Sequence, residues 1–376
     1  MLKSIITATI SLIIALCYNT AELIPGRLEL TFTEPALVLG LDKSDDGDGV
    51  TVSVLLNSFR DTGEAEGEEH FEKEVLSAAA QTIAMAAEQV KSSAAKSIAN
   101  GNNKYFIIGD GAQRDGINKY IDYLSRNNEL RLSSEIYFTR GGSAKEAINL
   151  IDGNFAADTE LFAENSGITG FTSKMTFGEF LQNYCDDLPH FAVPLINVEE
   201  AAIKTGGYAI VSNGHFIGCI DRMSARGYNY ITNKKTHSTV EIYTNEGTAV
   251  ALAVGSVKTK IKFIFNGDEL TKIILQTHCT ADIHDTQGVG NLTDKTLLTE
   301  YGDKMNYLIS NEMRTAVNIA KSNKCDFLEI GKSLSKKHPY KWEGLKNNWN
   351  DTFANTPIEI EVKCNVEKTY ALINNN

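Results

Sequence analysis

Proline and cysteine are both scarce, at 6 each in 376 residues, and no two cysteines stand in a CxxC pair. Few prolines exclude a collagen-like or Pro-rich chain, and the cysteine pattern indicates neither a zinc knuckle nor a disulfide framework. Setting Cys17 aside leaves Cys185, Cys219, Cys279, Cys325 and Cys364, an odd number whose expected state is buried apolar thiols. An excess of positive charge is missing as well. The 36 Lys and Arg face 48 Asp and Glu, a net charge of −12, so the basic surface that drives binding to a duplex is absent and no nucleic-acid partner is expected. Catalytic signatures are lacking too. There is no G-x-S-x-G elbow, no H-E-x-x-H and no Walker loop, and Gly109-Asp110-Gly111-Ala112-Gln113-Arg114-Asp115-Gly116 does not follow G-x-G-x-x-G spacing. The chain is expected to be no enzyme and to hold no cofactor. What remains, with 42% hydrophobic residues and 29 glycines, is an ordinary globular composition whose length predicts two or three domains.

One long apolar run does occur, at the start. Lys3 precedes Ile5 to Leu16, broken only by Thr7, Thr9 and Ser11, which has the length of a secretory h-region and falls short of the roughly 18–20 apolar residues of a membrane span. It ends in Ile14-Ala15-Leu16-Cys17, and a cysteine directly after an h-region is where bacterial lipoproteins are cleaved and diacylated. Residues 1–17 are therefore read as a signal peptide with a lipobox, although Leu16 is larger than the residue usual there, and Cys17 is the candidate lipidation site. The body then lies outside the cytoplasmic face.

Along the body the pattern is α+β. Ala36 to Leu41 and Val50 to Leu56 predict a hairpin across the acidic turn Asp42 to Gly49. An EF-hand starting at Asp42 would need its bidentate Glu where Ser53 stands, so the turn is read as a solvated loop rather than a calcium site. Asp42 to Glu74 holds eleven acids and three bases, a local net charge of 3 − 11 = −8. Phe71, Val75, Ala79, Ile83, Ala86, Val90, Ala94 and Ile98 recur at steps of three and four and predict one long helix ending at Asn100-Gly101. A buried strand at Tyr105 to Gly109, a helix from Ile117 to Leu124 and a strand from Leu130 to Thr139 follow. Ser143-x-x-Glu146 and Thr176-x-x-Glu179 are capping boxes that mark two helix starts.

Pro189 and Pro194 set the first expected boundary, giving an N-terminal domain at 18–190, a small middle domain with a hairpin at 195–236 and a C-terminal domain at 237–376. The middle hairpin turns at Asn213-Gly214. Strands at 240–243, 248–257, 260–265 and 270–283 predict an antiparallel meander, followed by a long amphipathic helix over 293–321 with Leu297, Tyr301, Met305, Leu308, Ile309, Met313, Ala316, Val317 and Ala320 on its inner face. A break at His338-Pro339, a helix at Trp342 to Trp349 and a strand at Ile358 to Val366 close the chain. His278, Cys279, His284 and Asp285 are rich in ligand atoms, but on an extended strand 278 and 284 share a face while 279 points to the other, so no metal site is assigned.

Several stretches together resemble the Ger(x)C family, the lipoprotein C subunits of spore germinant receptors. They are Leu39-Gly40-Leu41-Asp42 with its hairpin; Asn127-Asn128-Glu129-Leu130-Arg131-Leu132 with Ala144-Lys145-Glu146; and Gly206-Gly207-Tyr208-Ala209-Ile210-Val211 through Phe216-Ile217-Gly218. The most specific is the tail, Asp326-Phe327-x-x-Ile330-Gly331, then Pro339-x-x-Trp342, then Trp349-x-x-x-Phe353. The resemblance runs in family order from about residue 17 to about residue 370. The chain departs from the family in its lipobox, Leu16-Cys17-Tyr18-Asn19, in Asn100-Gly101-Asn102-Asn103 where a basic, His-containing approach is usual, and in an acidic insert around Glu64 to Glu74.

The resemblance implies a non-enzymatic, three-domain α+β lipoprotein with mixed and antiparallel sheets packed with long amphipathic helices. It would be held at the outer face of the spore inner membrane by its lipid anchor and by the integral-membrane A and B subunits, and serve the response to small-molecule germinants; whether it binds a small molecule itself stays open. Trp342, Trp349 and Phe353 fall on one helix face and are expected to fill a core. The alternative is the solute-binding lipoprotein of a transporter, which should show two lobes of alternating strands and helices over parallel sheets; residues 207–283 read instead as antiparallel hairpins.

Overall fold

The computed structural model describes residues 33–59, 71–151, 170–200, 202–234, 238–287 and 295–367. The signal peptide with Cys17, and residues 60–70 of the acidic stretch, lie outside the described residues. The architecture is α+β, built on two mixed sheets.

Among the described residues the first sheet has nine strands: β1 (Thr33–Lys43), β2 (Val50–Phe59), β3 (Phe71–Ala80), β4 (Ser97–Ala99), β5 (Tyr105–Ile108), β6 (Glu135–Arg140), β7 (His190–Glu199), β8 (Ala202–Ser212) and β9 (His215–Ile220). Its order is β3-β2-β1-β5-β6-β7-β8-β9, with the short β4 beside β1. β1, β5, β6 and β7 run parallel to one another, and antiparallel hairpins extend both ends. The parallel strands read as continuous apolar runs because both faces are covered, as Tyr105 to Ile108 shows with every residue buried. One face packs on α1 (Ile83–Ser93), α3 (Asn118–Arg126) and α5 (Phe177–Tyr184), and the short α2 (Asp110–Asp115) adds Ala112 to that core. The other face takes Ala144 and Ile148 of α4 (Ala144–Leu150).

The expected hairpin at β1 and β2, both capping boxes and the Asn213-Gly214 turn are present. Ser143 and Thr176 each accept from the amide three residues on, while Glu146 and Glu179 accept in return. Asn213 and Gly214 take φ of 50° and 74°, the left-handed pair that a two-residue turn of this type needs.

Several expectations change. The long helix over 71–98 is instead β3, then α1, then β4. The three-and-four spacing of Phe71, Val75 and Ala79 is real, but pairing residues 71–80 along β2 satisfies a full row of backbone groups, and Leu76, Ala78 and Ala80 then alternate onto the core. Thr82 stops the strand and starts the helix, its hydroxyl accepting from the Met85 amide at 3.3 Å. The strand at 130–139 shortens to Glu135–Arg140, because residues 130–134 form turns whose carbonyls at Leu132 and Ser134 accept from Gly178 and Phe177. Pro194, expected near a boundary, sits inside β7 at a register shift, where its missing N–H is tolerated, and the first sheet continues through it to Ile220.

The second sheet is β10 (Ser238–Tyr243), β11 (Ala249–Asn266), β12 (Glu269–Thr286) and β13 (Ile358–Glu367), in that order. The first three form the antiparallel meander, and β13 returns parallel to β12 after a helical crossover. The two strands expected at 248–257 and 260–265 are one, carrying a bulge between Val254 and Val257 where the Ser256 amide donates to Thr280 Oγ1 at 3.1 Å.

α6 (Arg222–Thr232) and α7 (Lys295–Ser322) cover this sheet. Tyr301, Met305, Ile309, Met313, Ala316, Val317 and Ala320 of α7 are buried in a core that also takes Ala192, Tyr208, Ile210 and Ile220 from the first sheet. The tail helices α8 (Ile330–Lys337), α9 (Pro339–Leu345) and α10 (Trp349–Asn355) close it, with Pro339 at the first position of α9 where the absent N–H costs nothing. Trp342, Trp349 and Phe353 are buried in this core. Among the described residues no helix is long and apolar enough to cross a membrane.

α6 and α7 touch backbone to backbone at Gly227, where an added Cβ would lie 2.0 Å from the Glu312 carbonyl oxygen. Gly227→Ala is expected to force the helices apart and destabilise the protein by about 1–3 kcal/mol, read as a lower denaturant midpoint at unchanged slope.

Candidate functional site

Four buried polar nodes hold the family-like stretches together. The first is Asp42, at the end of β1. Its Oδ1 accepts from the Ala144 amide at 2.7 Å and its Oδ2 from the Lys145 amide at 3.0 Å. Together with the Ser143–Glu146 capping box this satisfies the amides of residues 143–146, the whole first turn of α4. Burial pushes the Asp42 carboxyl up to about 6, against the pull of the two amides. Gly40, two residues back on the same strand, has no Cβ because one would stand 2.7 Å from Ile148 Cδ1 and 3.1 Å from Ala144 Cβ. The Leu-Gly-Leu-Asp stretch and the Ala-Lys-Glu stretch are therefore two halves of one contact. Asp42 was expected in a solvated turn and is buried; the signal available was an acid directly following the apolar run of β1.

The second node is Tyr208, behind Gly206-Gly207. Its hydroxyl lies 2.6 Å from Asn229 Oδ1 and 3.0 Å from Ser173 Oγ, while Asn229 Nδ2 donates to the Gly170 carbonyl at 2.9 Å. Gly207 has φ of 87°, and a Cβ there would lie 2.2 Å from the Ile220 carbonyl oxygen. The missing side chain at Gly206 leaves room for Arg222, whose guanidinium stacks 4.5 Å from the centre of the Phe171 ring. Arg222, Arg140 and Lys204 border an open cleft of about 480 Å3. The third node is the Arg226–Glu312 ion pair at the α6–α7 crossing. Both side chains are buried, and burial pushes the Glu312 carboxyl up to about 7 although Arg226 pulls it down.

The fourth node organises the tail. Asp326 accepts from the Ile330 amide at 3.1 Å, the Gly331 amide at 2.5 Å and Trp349 Nε1 at 2.8 Å. Full burial pushes its carboxyl up to about 7, opposed by those three donors. A Cβ on Gly331 would lie 2.6 Å from Trp349 Nε1, so glycine is what lets the indole reach the carboxylate. Trp349 then packs edge-on against Trp342 at 5.3 Å, and Phe353 lies 6.1 Å beyond. Asp326, Gly331, Trp342, Trp349 and Phe353 thus act as a single unit.

Beside it, His190 links both halves of the molecule. Its Nδ1 lies 2.9 Å from Ser212 Oγ and its Nε2 3.0 Å from Asn350 Oδ1 on α10. An amide oxygen at Nε2 requires the proton there, so Nδ1 accepts from the serine hydroxyl. Burial holds the imidazole below its ordinary value, with Asn350 opposing. A cavity of about 270 Å3 opens next to this link, between Asp186, Asp187, His190, Asp326, Lys332 and Trp342.

The ligand-rich group on β12 is divided as extended geometry predicts. His278 and His284 are exposed, and Cys279 is buried against Cys364 of β13. Cys17 lies outside the described residues.

The chain matches a known family along most of its length. Residues 27–198 match the family described as "Spore germination protein N-terminal domain", and residues 206–370 match "Spore germination B3/GerAC like, C-terminal". The chain belongs to this Ger(x)C family of spore germination proteins. It is 22% identical over 266 residues to spore germination protein YndF of Bacillus subtilis (strain 168), a match covering 66% of this chain and 63% of that protein. It is 20% identical over 380 aligned positions to spore germination protein KC of the same organism, covering 92% of each. In fold it is similar to the crystal structure of the GerBC protein, with a TM-score of 0.55 over 87% of this chain and 96% of that one at 14% identity.

Two outcomes follow from the tail. Asp326→Asn leaves one acceptor oxygen for three donors, and a loss of about 1–3 kcal/mol is expected in chemical denaturation, with Trp349 fluorescence reporting the loosened indole. For His190, the unfolded ring takes up its proton near the ordinary value of 6.5, whereas the folded ring resists it. Stability from this group is therefore present above that pH and is lost as pH falls through it. Thermal melts from about pH 7.5 to pH 5 should show the wild type losing ground relative to His190→Gln below about pH 6.5 and tracking it in parallel above.

Proposed function

We propose that this chain is the non-enzymatic C subunit of a spore germinant receptor. In this reading it is exported, diacylated at Cys17 and held at the outer face of the spore inner membrane beside integral-membrane A and B subunits, and it is required for nutrient-triggered germination. The observation that carries the reading is that the two family matches, to the N-terminal and C-terminal halves of spore germination proteins, follow one another over residues 27–198 and 206–370. The polar nodes agree with it. The side chains of the family-like stretches are spent on one another: Asp42 on α4, Asp326 on Trp349, Tyr208 on Asn229. That is the chemistry of a scaffold that must keep its shape while it is gripped by partners.

The anchor fits the same picture. Diacylation at Cys17 would supply two acyl chains, which suffice for stable attachment without an anionic lipid surface, to which a chain with a net charge of −12 is poorly suited.

The test is radiolabelled palmitate incorporation in sporulating cells, with intact mass of the membrane fraction, for wild type and Cys17→Ala. Label on the wild type, loss of label and release from the membrane in the variant, and a germination defect against nutrient but not against a receptor-independent trigger are expected. A soluble, unlabelled wild-type protein would remove the anchor from the proposal, and a deletion strain that germinates normally on every nutrient would remove the function.

A further inference from the structure

We propose that Cys279 and Cys364 are an oxidisable pair that closes into a disulfide tying the edge strand β13 to β12. The two residues are register partners in the parallel β12–β13 ladder. Neighbouring strands run about 4.8 Å apart, inside the Cα separation of about 4.4–6.8 Å that a disulfide spans. Both side chains are buried on the same face of the sheet, under α7. None of the other described cysteines, Cys185, Cys219 or Cys325, has a cysteine as a strand partner; Cys219, for example, faces Ala209.

The two thiols already interact. The Cys279 S–H donates to the Thr280 carbonyl oxygen at 3.5 Å, and the two neighbouring sulfurs push the Cys279 thiol up and pull the Cys364 thiol down, so the thiolate forms more readily at Cys364. Cys364 is therefore the sulfur that attacks first. Its strand is the outermost of the sheet, so it reaches solvent by local opening of one edge, or before β13 has docked.

The chemistry is thiol–disulfide exchange with a carrier disulfide, either a low-molecular-weight disulfide or that of an oxidoreductase. The Cys364 thiolate attacks the carrier's S–S bond, one carrier thiolate leaves, and a mixed disulfide forms at Cys364. Cys279 loses its proton to solvent and attacks the Cys364 sulfur, expelling the second carrier thiolate. Two protein thiols become one disulfide, and the two electrons leave on the carrier, which departs as two thiols. The bond closes a loop that contains α7, α8, α9 and α10, so it locks the tail unit onto the second sheet.

The experiment uses the purified full chain with oxidised glutathione at about pH 8, quenched with acid, alkylated in denaturant without reductant, and peptide-mapped by mass spectrometry. A linked peptide containing Cys279 and Cys364, with both sites closed to alkylation, is expected, together with a melting temperature about 5 °C above that of the reduced protein. The shift should vanish in Cys364→Ser. Should that variant fold poorly, Cys279→Ala serves instead, and there glutathione should stay attached at Cys364. Exposed Cys185 is the internal control for reaction without a partner. Recovery of both Cys279 and Cys364 fully alkylated while Cys185 has reacted overturns the proposal, as does a stable wild-type glutathione adduct at Cys364 with no link. This readout is made in vitro and does not depend on where the chain resides, so its failure is distinct from a failure of the receptor reading.

Discussion

The crossing of α6 and α7 is the constraint on which the rest of the molecule depends. Two helices meet at Gly227 with no side chain between them, and Arg226 and Glu312 pair beside the contact. α7 carries the apolar stripe that fills the second core, and α6 follows directly on β9 of the first sheet. Because the same core takes Tyr208 and Ile210 from the first sheet and Leu275 and Ile283 from the second, spreading the helices would open both sheets at once. A buried ion pair at such a place is poor evidence of stability, since desolvation offsets most of the attraction, but it penalises any packing that separates the partners.

Elsewhere the same device recurs in another form: a buried carboxylate that collects backbone or indole N–H groups from a distant segment. Asp42 takes the first turn of α4 and Asp326 takes the start of α8 with Trp349. Each joins segments that local interactions alone would leave independent. Glycine accompanies both, Gly40 by Ile148 and Gly331 by Trp349, because a carboxylate can receive such donors only where the backbones come close. Charged in these sites, both carboxyls are costly and lie above their usual range, so the nodes are specific rather than cheap.

The stretches by which the chain resembles its family are joined in the fold. Asp-Phe-x-x-Ile-Gly, Pro-x-x-Trp and Trp-x-x-x-Phe are individually unremarkable, yet they are consecutive pieces of one packed unit. Losing any one of them would leave a buried donor, acceptor or cavity in the others. They speak to the shape of the tail.

Where side-chain periodicity and local capping agreed, the sequence alone was sufficient. The β1–β2 hairpin, both capping boxes, the Asn213-Gly214 turn, the stripe of α7 and the burial of Trp342, Trp349 and Phe353 were all legible, because each rests on interactions within a few residues or on an unbroken period; the meander was legible except that the bulge in β11 divided one strand into two. Residues 71–98 were not, since Phe71, Val75 and Ala79 satisfy a helical period while the open edge of β2 offers a whole ladder of hydrogen bonds that no local pattern announces. The roles of Asp42, His190, Asn350 and Asp326 were hidden for a related reason: their partners lie 102, 160, 160 and 23 residues away, at Ala144, Asn350, His190 and Trp349 respectively. A polar residue in an apolar run shows that something must satisfy it; only the folded backbone, by bringing a particular amide or amide oxygen within reach, decides what does.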